Sequence, residues 1–183
     1  MLSGDGGAQE NVIGIALLAL ATQASAEVVS AWPNGFEVRE TVPLVVPPDA
    51  AYGAFGNIAE WWDPQHTYSG DSANLSLALV PGGCFCERIP KTGGGIEHLR
   101  VTYVEPGKRV VLTGALGPLL YEAVTGVMDV EVKQIAGGSQ LTIDYKAAGF
   151  ARGGADKLAP AVDQVLAGQL KRFRAYATKQ PKT

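Results

Sequence analysis

Between residues 75 and 147 the chain passes through six short stretches of alternating apolar and polar residues, and the gaps between them are rich in Gly and Pro. The stretches are 75–80, 84–89, 96–104, 109–115, 123–135 and 140–147. Gaps this short cannot hold a crossover helix, so consecutive strands must turn back on one another antiparallel. A seventh strand is read at 36–46, rich in β-branched residues and ending at Pro47-Pro48. The alternation also assigns faces. Val124, Met128, Val130 and Val132 share one side, as do Leu141, Ile143 and Tyr145, while Asp129, Glu131, Thr142 and Asp144 share the other. A sheet with one apolar face needs one cover.

That cover lies at the C-terminus. Leu158, Val162, Val165, Leu166, Leu170, Phe173 and Tyr176 recur every three or four residues across 155–177, which predicts an amphipathic helix about 34 Å long. Two short helices are expected after the first strand, at 49–55 and 58–62, the first begun by Pro48 and the second stopped by Asp63-Pro64. The fold class is α+β: a curved antiparallel sheet of about seven strands wrapped around a long C-terminal helix. It forms a single domain over 35–178, followed by a disordered tail at 179–183.

The formal charge of −3 comes with no run of Lys or Arg, which argues against a nucleic-acid partner. A ten-residue apolar run at 12–21, too short to span a bilayer, precedes Ala24-Ser25-Ala26. The small-x-small pattern predicts a signal peptide over 1–26, cleaved before Glu27, and hence a periplasmic or secreted protein with no stable membrane insertion after cleavage. The segment before the apolar run carries Asp5 and Glu10 and no basic residue, which departs from the usual signal pattern.

Several local patterns occur in a familiar order: Val46-Pro47-Pro48-Asp49-Ala50-Ala51-Tyr52, Trp61-Trp62-Asp63-Pro64, and Gly82-Gly83-Cys84-Phe85. The stretch from Val104 to Leu112 and the run Gly137-Gly138-Ser139-Gln140-Leu141-Thr142 complete it. In this order the chain resembles the helix-grip fold of the START-like superfamily, also called SRPBCC or Bet v-like. It looks like the branch of polyketide cyclase-like proteins and homologues of a chaperone ATPase activator. The resemblance implies a deep apolar cavity between sheet and helix; the expected partner is a small hydrophobic molecule, and no cofactor is expected. Val101, Tyr103, Met128, Tyr145 and Phe85 would line it from the sheet, and Val162, Leu166 and Phe173 from the helix. Trp61, Trp62 and His66 would form its rim.

Chemistry-bearing residues are few. The chain has two histidines, His66 and His98, and two cysteines, Cys84 and Cys86. Closing the hairpin with Pro90 opposite Ile96 places Glu87 and Glu97 on the cavity face with Phe85, Leu99 and Val101. His98 then falls on the opposite face with Cys84, Cys86 and Arg100, and a slip of one residue would invert the assignment. Glu87, Glu97, His66 and His98 are the candidate acid–base groups, because a carboxyl in an apolar cavity can act as general acid or base. The alternative for the glutamates is a cross-strand pair near a solvated turn, answered by Arg88 or Arg100. Cys84, Cys86 and His98 are weak metal candidates. Residues two apart in an extended strand have Cα atoms about 6.5 Å apart, so free thiols are favoured over a strained disulfide. Ligand binding is the leading functional expectation. A cyclase- or hydrolase-type enzyme and a protein-interaction module are the alternatives.

Overall fold

A computed structural model describes residues 25–179. The expected leader, apart from Ser25 and Ala26, lies outside the described residues, as does the expected tail beyond Lys179.

Eight strands form one antiparallel sheet: β1 (Ser25–Trp32), β2 (Gly35–Leu44), β3 (Leu75–Leu77), β4 (Cys84–Ile89), β5 (Gly94–Glu105), β6 (Arg109–Gly114), β7 (Ala123–Ile135) and β8 (Gly138–Phe150). Their spatial order is β1-β2-β8-β7-β6-β5-β4-β3, so β2 pairs with the last strand while the others follow chain order. The added strand, β1, is an edge strand; its Val28, Val29 and Trp32 are all partly exposed, so it carries little of the alternation that marks the others. Cleavage before Glu27 would remove its first two residues and leave Glu27–Trp32 paired with β2.

Helix α1 (Pro48–Gly56) follows β2, with Pro48 in its first turn, where a missing backbone N–H costs nothing. A single 3-10 turn at Ile58–Glu60 stands where a second short helix was expected. At the other end, Ala155–Lys157 form a 3-10 turn and helix α2 proper runs from Ala159 to Ala177, again with Pro in its first turn. Leu166, Leu170 and Phe173 of α2 are fully buried, facing a sheet whose inner side carries Val38, Val42, Met128, Val130, Leu141, Ile143 and Tyr145. The assigned faces of β7 and β8 are therefore those of the structure, and the helix is the cover that the one-sided sheet requires.

Strand β5 departs from simple alternation twice. Phe85 pairs with Leu99 but Cys86 pairs with Glu97, so His98 is an extra residue. Val101 pairs with Leu112 but Tyr103 pairs with Val111, so Thr102 is another. Each bulge reverses the facing of everything beyond it. His98 and Leu99 consequently both point inward, and Thr102 and Tyr103 both point outward. Gly114 makes room for the first bulge: its φ is +148°, and a Cβ there would stand 2.7 Å from the His98 carbonyl oxygen and 3.1 Å from Leu99 Cα.

Candidate functional site

A cavity of about 440 Å³ opens between the first half of α2 and the β4–β5 side of the sheet. Its helix wall is Leu158, Ala161, Val162, Val165 and Leu166, and its sheet wall includes Phe85, His98 and Tyr145. The segment from Trp62 to Tyr68 and the turn from Leu116 to Tyr121 close the sides. The walls are overwhelmingly apolar, and the volume lies in the range of sites that take small organic molecules.

The first of these segments is held in place by backbone and side-chain hydrogen bonds. Trp62 Nε1 donates to the His66 carbonyl at 3.0 Å, and Gln169 of α2, itself buried, accepts from the Asp63 amide at 2.8 Å. Arg172 donates to the Trp61 carbonyl at 3.1 Å. Trp61 and Trp62, both expected at the cavity rim, are both buried, and Trp62 alone lines the cavity. The chain leaves helical geometry at Trp61, so the two rings diverge: Trp61 packs on Phe55 and Phe173 in the core, and Trp62 packs on Phe85 in the cavity wall.

The polar centre of the cavity is a carboxylate–imidazole pair. His98 Nε2 lies 3.1 Å from Glu87 Oε2, and both side chains are almost completely buried. Glu87 also accepts from the backbone amides of Tyr68, at 3.1 Å, and Ser69, at 2.5 Å. Burial alone would push the Glu87 carboxyl up; these donors, with His98, outweigh it and hold it below the usual carboxylate range. Burial lowers His98 below its ordinary pKa despite the opposing pull of Glu87, so the ring is neutral at physiological pH. An ionised Glu87 can only accept, which fixes the proton on Nε2 and leaves Nδ1 as a lone pair. Nδ1 is buried and has no hydrogen-bond partner among the described residues. The ring is packed between Phe85, with centroids 4.9 Å apart, and Tyr68, at 5.9 Å. Tyr68 is itself anchored by its hydroxyl, which donates to the Gly117 carbonyl at 2.9 Å.

Tyr145 supplies a second polar point. Its hydroxyl accepts from the Leu116 amide at 3.4 Å, and burial pushes its pKa up to about 12. Gly126 of β7 accommodates this ring, since a Cβ there would come within 2.6 Å of it.

Of the residues expected at the cavity, Trp62, His66, Phe85, Tyr145, Val162 and Leu166 line it, and Glu87 stands directly behind His98. Val101, Met128 and Phe173 are buried in the packed core, as is Trp61, because the core fills the far end of the space under the helix. Tyr103 is 49% exposed, turned out by the second bulge, and cannot contact a ligand inside. Glu97 and His98 have exchanged sides relative to expectation, because the first bulge shifts the register. Glu97 lies on the outer surface paired with Arg100 through a 3.1 Å contact from Nε, while His98 is inside. Thr67, Tyr68, Tyr121 and the Leu116–Leu119 segment, absent from the expected set, are loop residues that no strand or helix period marks.

The cysteines are joined in a Cys84–Cys86 disulfide with Cα atoms 5.3 Å apart, rather than free. That separation is below the repeat of a fully extended strand and inside the usual disulfide range, so the distance objection does not hold. Cys84, Cys86 and Glu97 cluster on the outer face, but a disulfide leaves no thiolate to bind a metal, and His98 points the other way.

No protein-family model matches the chain, and no curated protein matches it either. Solved structures do. An uncharacterised protein from Rhizobium leguminosarum is 16% identical with a TM-score of 0.60, covering 87% of this chain and 100% of its own. A protein from Rhizobium loti is 24% identical with a TM-score of 0.56, covering 80% of this chain and 99% of its own. DynU16, a protein of the dynemicin biosynthetic locus, is 16% identical with a TM-score of 0.55, covering 80% of this chain and 48% of its own. At these identities the likeness establishes the fold: a curved antiparallel sheet folded over a long C-terminal helix.

Proposed function

We propose that this chain is an exported binding protein of the START-like type that holds a small hydrophobic molecule between α2 and the sheet. The observation that carries this reading is the apolar cavity of about 440 Å³, open at one side and backed by a fully packed core. A pre-formed apolar site with a few fixed polar groups binds such a molecule without catalytic machinery. Export rests on the apolar run and the Ala24-Ser25-Ala26 pattern.

A second reading, an acid–base enzyme of the same fold, is favoured by one feature. Glu87 and His98 lie within hydrogen-bonding reach of each other at the cavity wall, which is the arrangement a general base requires. His66 sits exposed at the mouth, and Glu97 is on the wrong face, so neither belongs to that reading's centre.

Native mass spectrometry of protein purified from the exported fraction tests the binding reading. A co-purifying small organic mass is expected from the wild type and should be lost in Val162→Trp, which fills the cavity from the helix side. Retention of the same mass by that variant would place the ligand elsewhere.

A further inference from the structure

The Cys84–Cys86 bridge closes a ring around a single intervening residue, Phe85. A disulfide stabilises a fold mainly by restricting the unfolded chain, and it does so least when the loop it closes is this short. Its effect therefore belongs to local geometry. Residues two apart in an extended strand stand about 6.5 Å apart, and the bridge holds these two Cα atoms at 5.3 Å. Phe85, held between them, points to the other face of the strand, where it is buried and lines the cavity. Its ring packs on Trp62, with centroids 5.3 Å apart, and on His98, at 4.9 Å. The pairing of β4 with β5 breaks at the same step, between Phe85 and Cys86, where His98 is the extra residue. On its other side this part of β4 is paired with β3, an edge strand of three residues. The bridge thus stands directly behind the cavity wall, where one ladder is interrupted and the other is short. Both cysteines are partly exposed.

We propose that the Cys84–Cys86 bridge is a redox-sensitive clamp on the cavity wall. Oxidised, it holds Phe85 against Trp62 and His98. Reduced, it frees residues 84–86 to extend, and the wall they carry shifts and loosens its hold on an apolar ligand. The co-reactant is a dithiol. One of its thiolates attacks a bridge sulfur and forms a mixed disulfide, while the other cysteine leaves as a thiolate. The second thiolate of the reagent then displaces the cysteine still attached. Two electrons pass to the bridge, the dithiol becomes a disulfide, and its two protons end on the cysteine thiols. This rests on the binding reading given above and adds a regulation to it. The coupling is reciprocal: a bound ligand makes the bridge harder to reduce by the same factor.

The test uses the whole protein, oxidised and after treatment with dithiothreitol, with 2-naphthol as the probe. The chain has two cysteines, so the dithiol acts at this bridge alone. On reduction without probe, the side-chain NMR shifts of Trp62, Phe85 and His98 should move, while the amide shifts of β1 and β2 stay in place. The reduced form should bind 2-naphthol about five-fold more weakly, the lower end of the coupling found between linked sites. The double variant Cys84→Ser, Cys86→Ser should match the reduced form and ignore dithiothreitol. A bridge that resists dithiothreitol in the folded protein, unmoved shifts at Trp62, Phe85 and His98, or equal affinities of the two forms would each overturn the clamp. So would loss of the β1 and β2 shifts on reduction, which would make the bridge a support of the whole fold. If neither form binds 2-naphthol, the binding reading fails, and the clamp is still decided by the shifts of the free protein.

Discussion

Two buried acids in this molecule show how one residue type is driven in opposite directions by its surroundings. Glu87 is given donors on both oxygens and stays ionised. Glu40, on the inner face of β2, faces another acid, Asp163 of α2; burial first, then the hydrogen bond and charge of Asp163, push it up to about 8. A carboxyl that holds its proton more tightly in the folded state stabilises the fold at low pH. That contribution is lost as pH rises through the interval from its ordinary value to about 8. Glu40→Gln keeps the shape, donates permanently to Asp163 and removes the titration. It should therefore raise stability by roughly 1–3 kcal/mol at pH 8 and change little at pH 4. Urea unfolding at the two pH values checks this, and an equal effect at both would separate Glu40 from the pH response. His98 works in the other direction: with its pKa lowered by burial, the unfolded chain takes up a proton first, so its contribution to stability falls as pH drops below its ordinary value. Only the difference between variant and wild type isolates Glu40.

At the level of elements, the strands and the long helix were legible in the sequence because period-2 and period-3.6 patterns report directly on which side chains are buried. The seven expected strands all form, and β7 and β8 face as read. Strand β1 was not legible, since an edge strand with partly exposed Val28, Val29 and Trp32 shows no clear alternation. The candidate site was half legible. Glu87, His98, Phe85 and Trp62 were identified, but their grouping was not, because it depends on a bulge that no periodic pattern encodes. One extra residue at position 98 puts His98 beside Glu87 and sends Glu97 to the surface. A local cue was present in Gly114, whose φ of +148° and contact with the His98 carbonyl allow β6 to approach the bulge. Gly114→Ala should cost roughly 1–3 kcal/mol in a denaturant titration and displace His98 from the cavity wall. A variant of wild-type stability would mean that β6 does not set the bulge.

For the whole molecule, the fold divides its interior into a packed end and an open end. Phe55, Trp61, Met128 and Phe173 fill the space under the C-terminal half of α2. Under the N-terminal half, Val162 and Leu166 face Trp62, Phe85, His98 and Tyr145 across a gap. Helix α2 is thus a structural cover at one end and a binding wall at the other, while β4 and β5 deliver the buried Glu87–His98 pair to the open end. The outer face of the sheet, with Tyr103, Val127 and the Cys84–Cys86 bridge, takes no part in that space.

The measurement that bears most directly on this division is an amide and side-chain NMR titration of the purified protein with 2-naphthol. Saturable shifts are expected at Trp62, Phe85, His98, Tyr145, Val162 and Leu166, with Tyr103 and Phe173 unmoved and Tyr103→Ala binding as wild type does. Shifts centred on Tyr103 and the outer face, or no saturable shifts at any residue lining the cavity, would contradict that division.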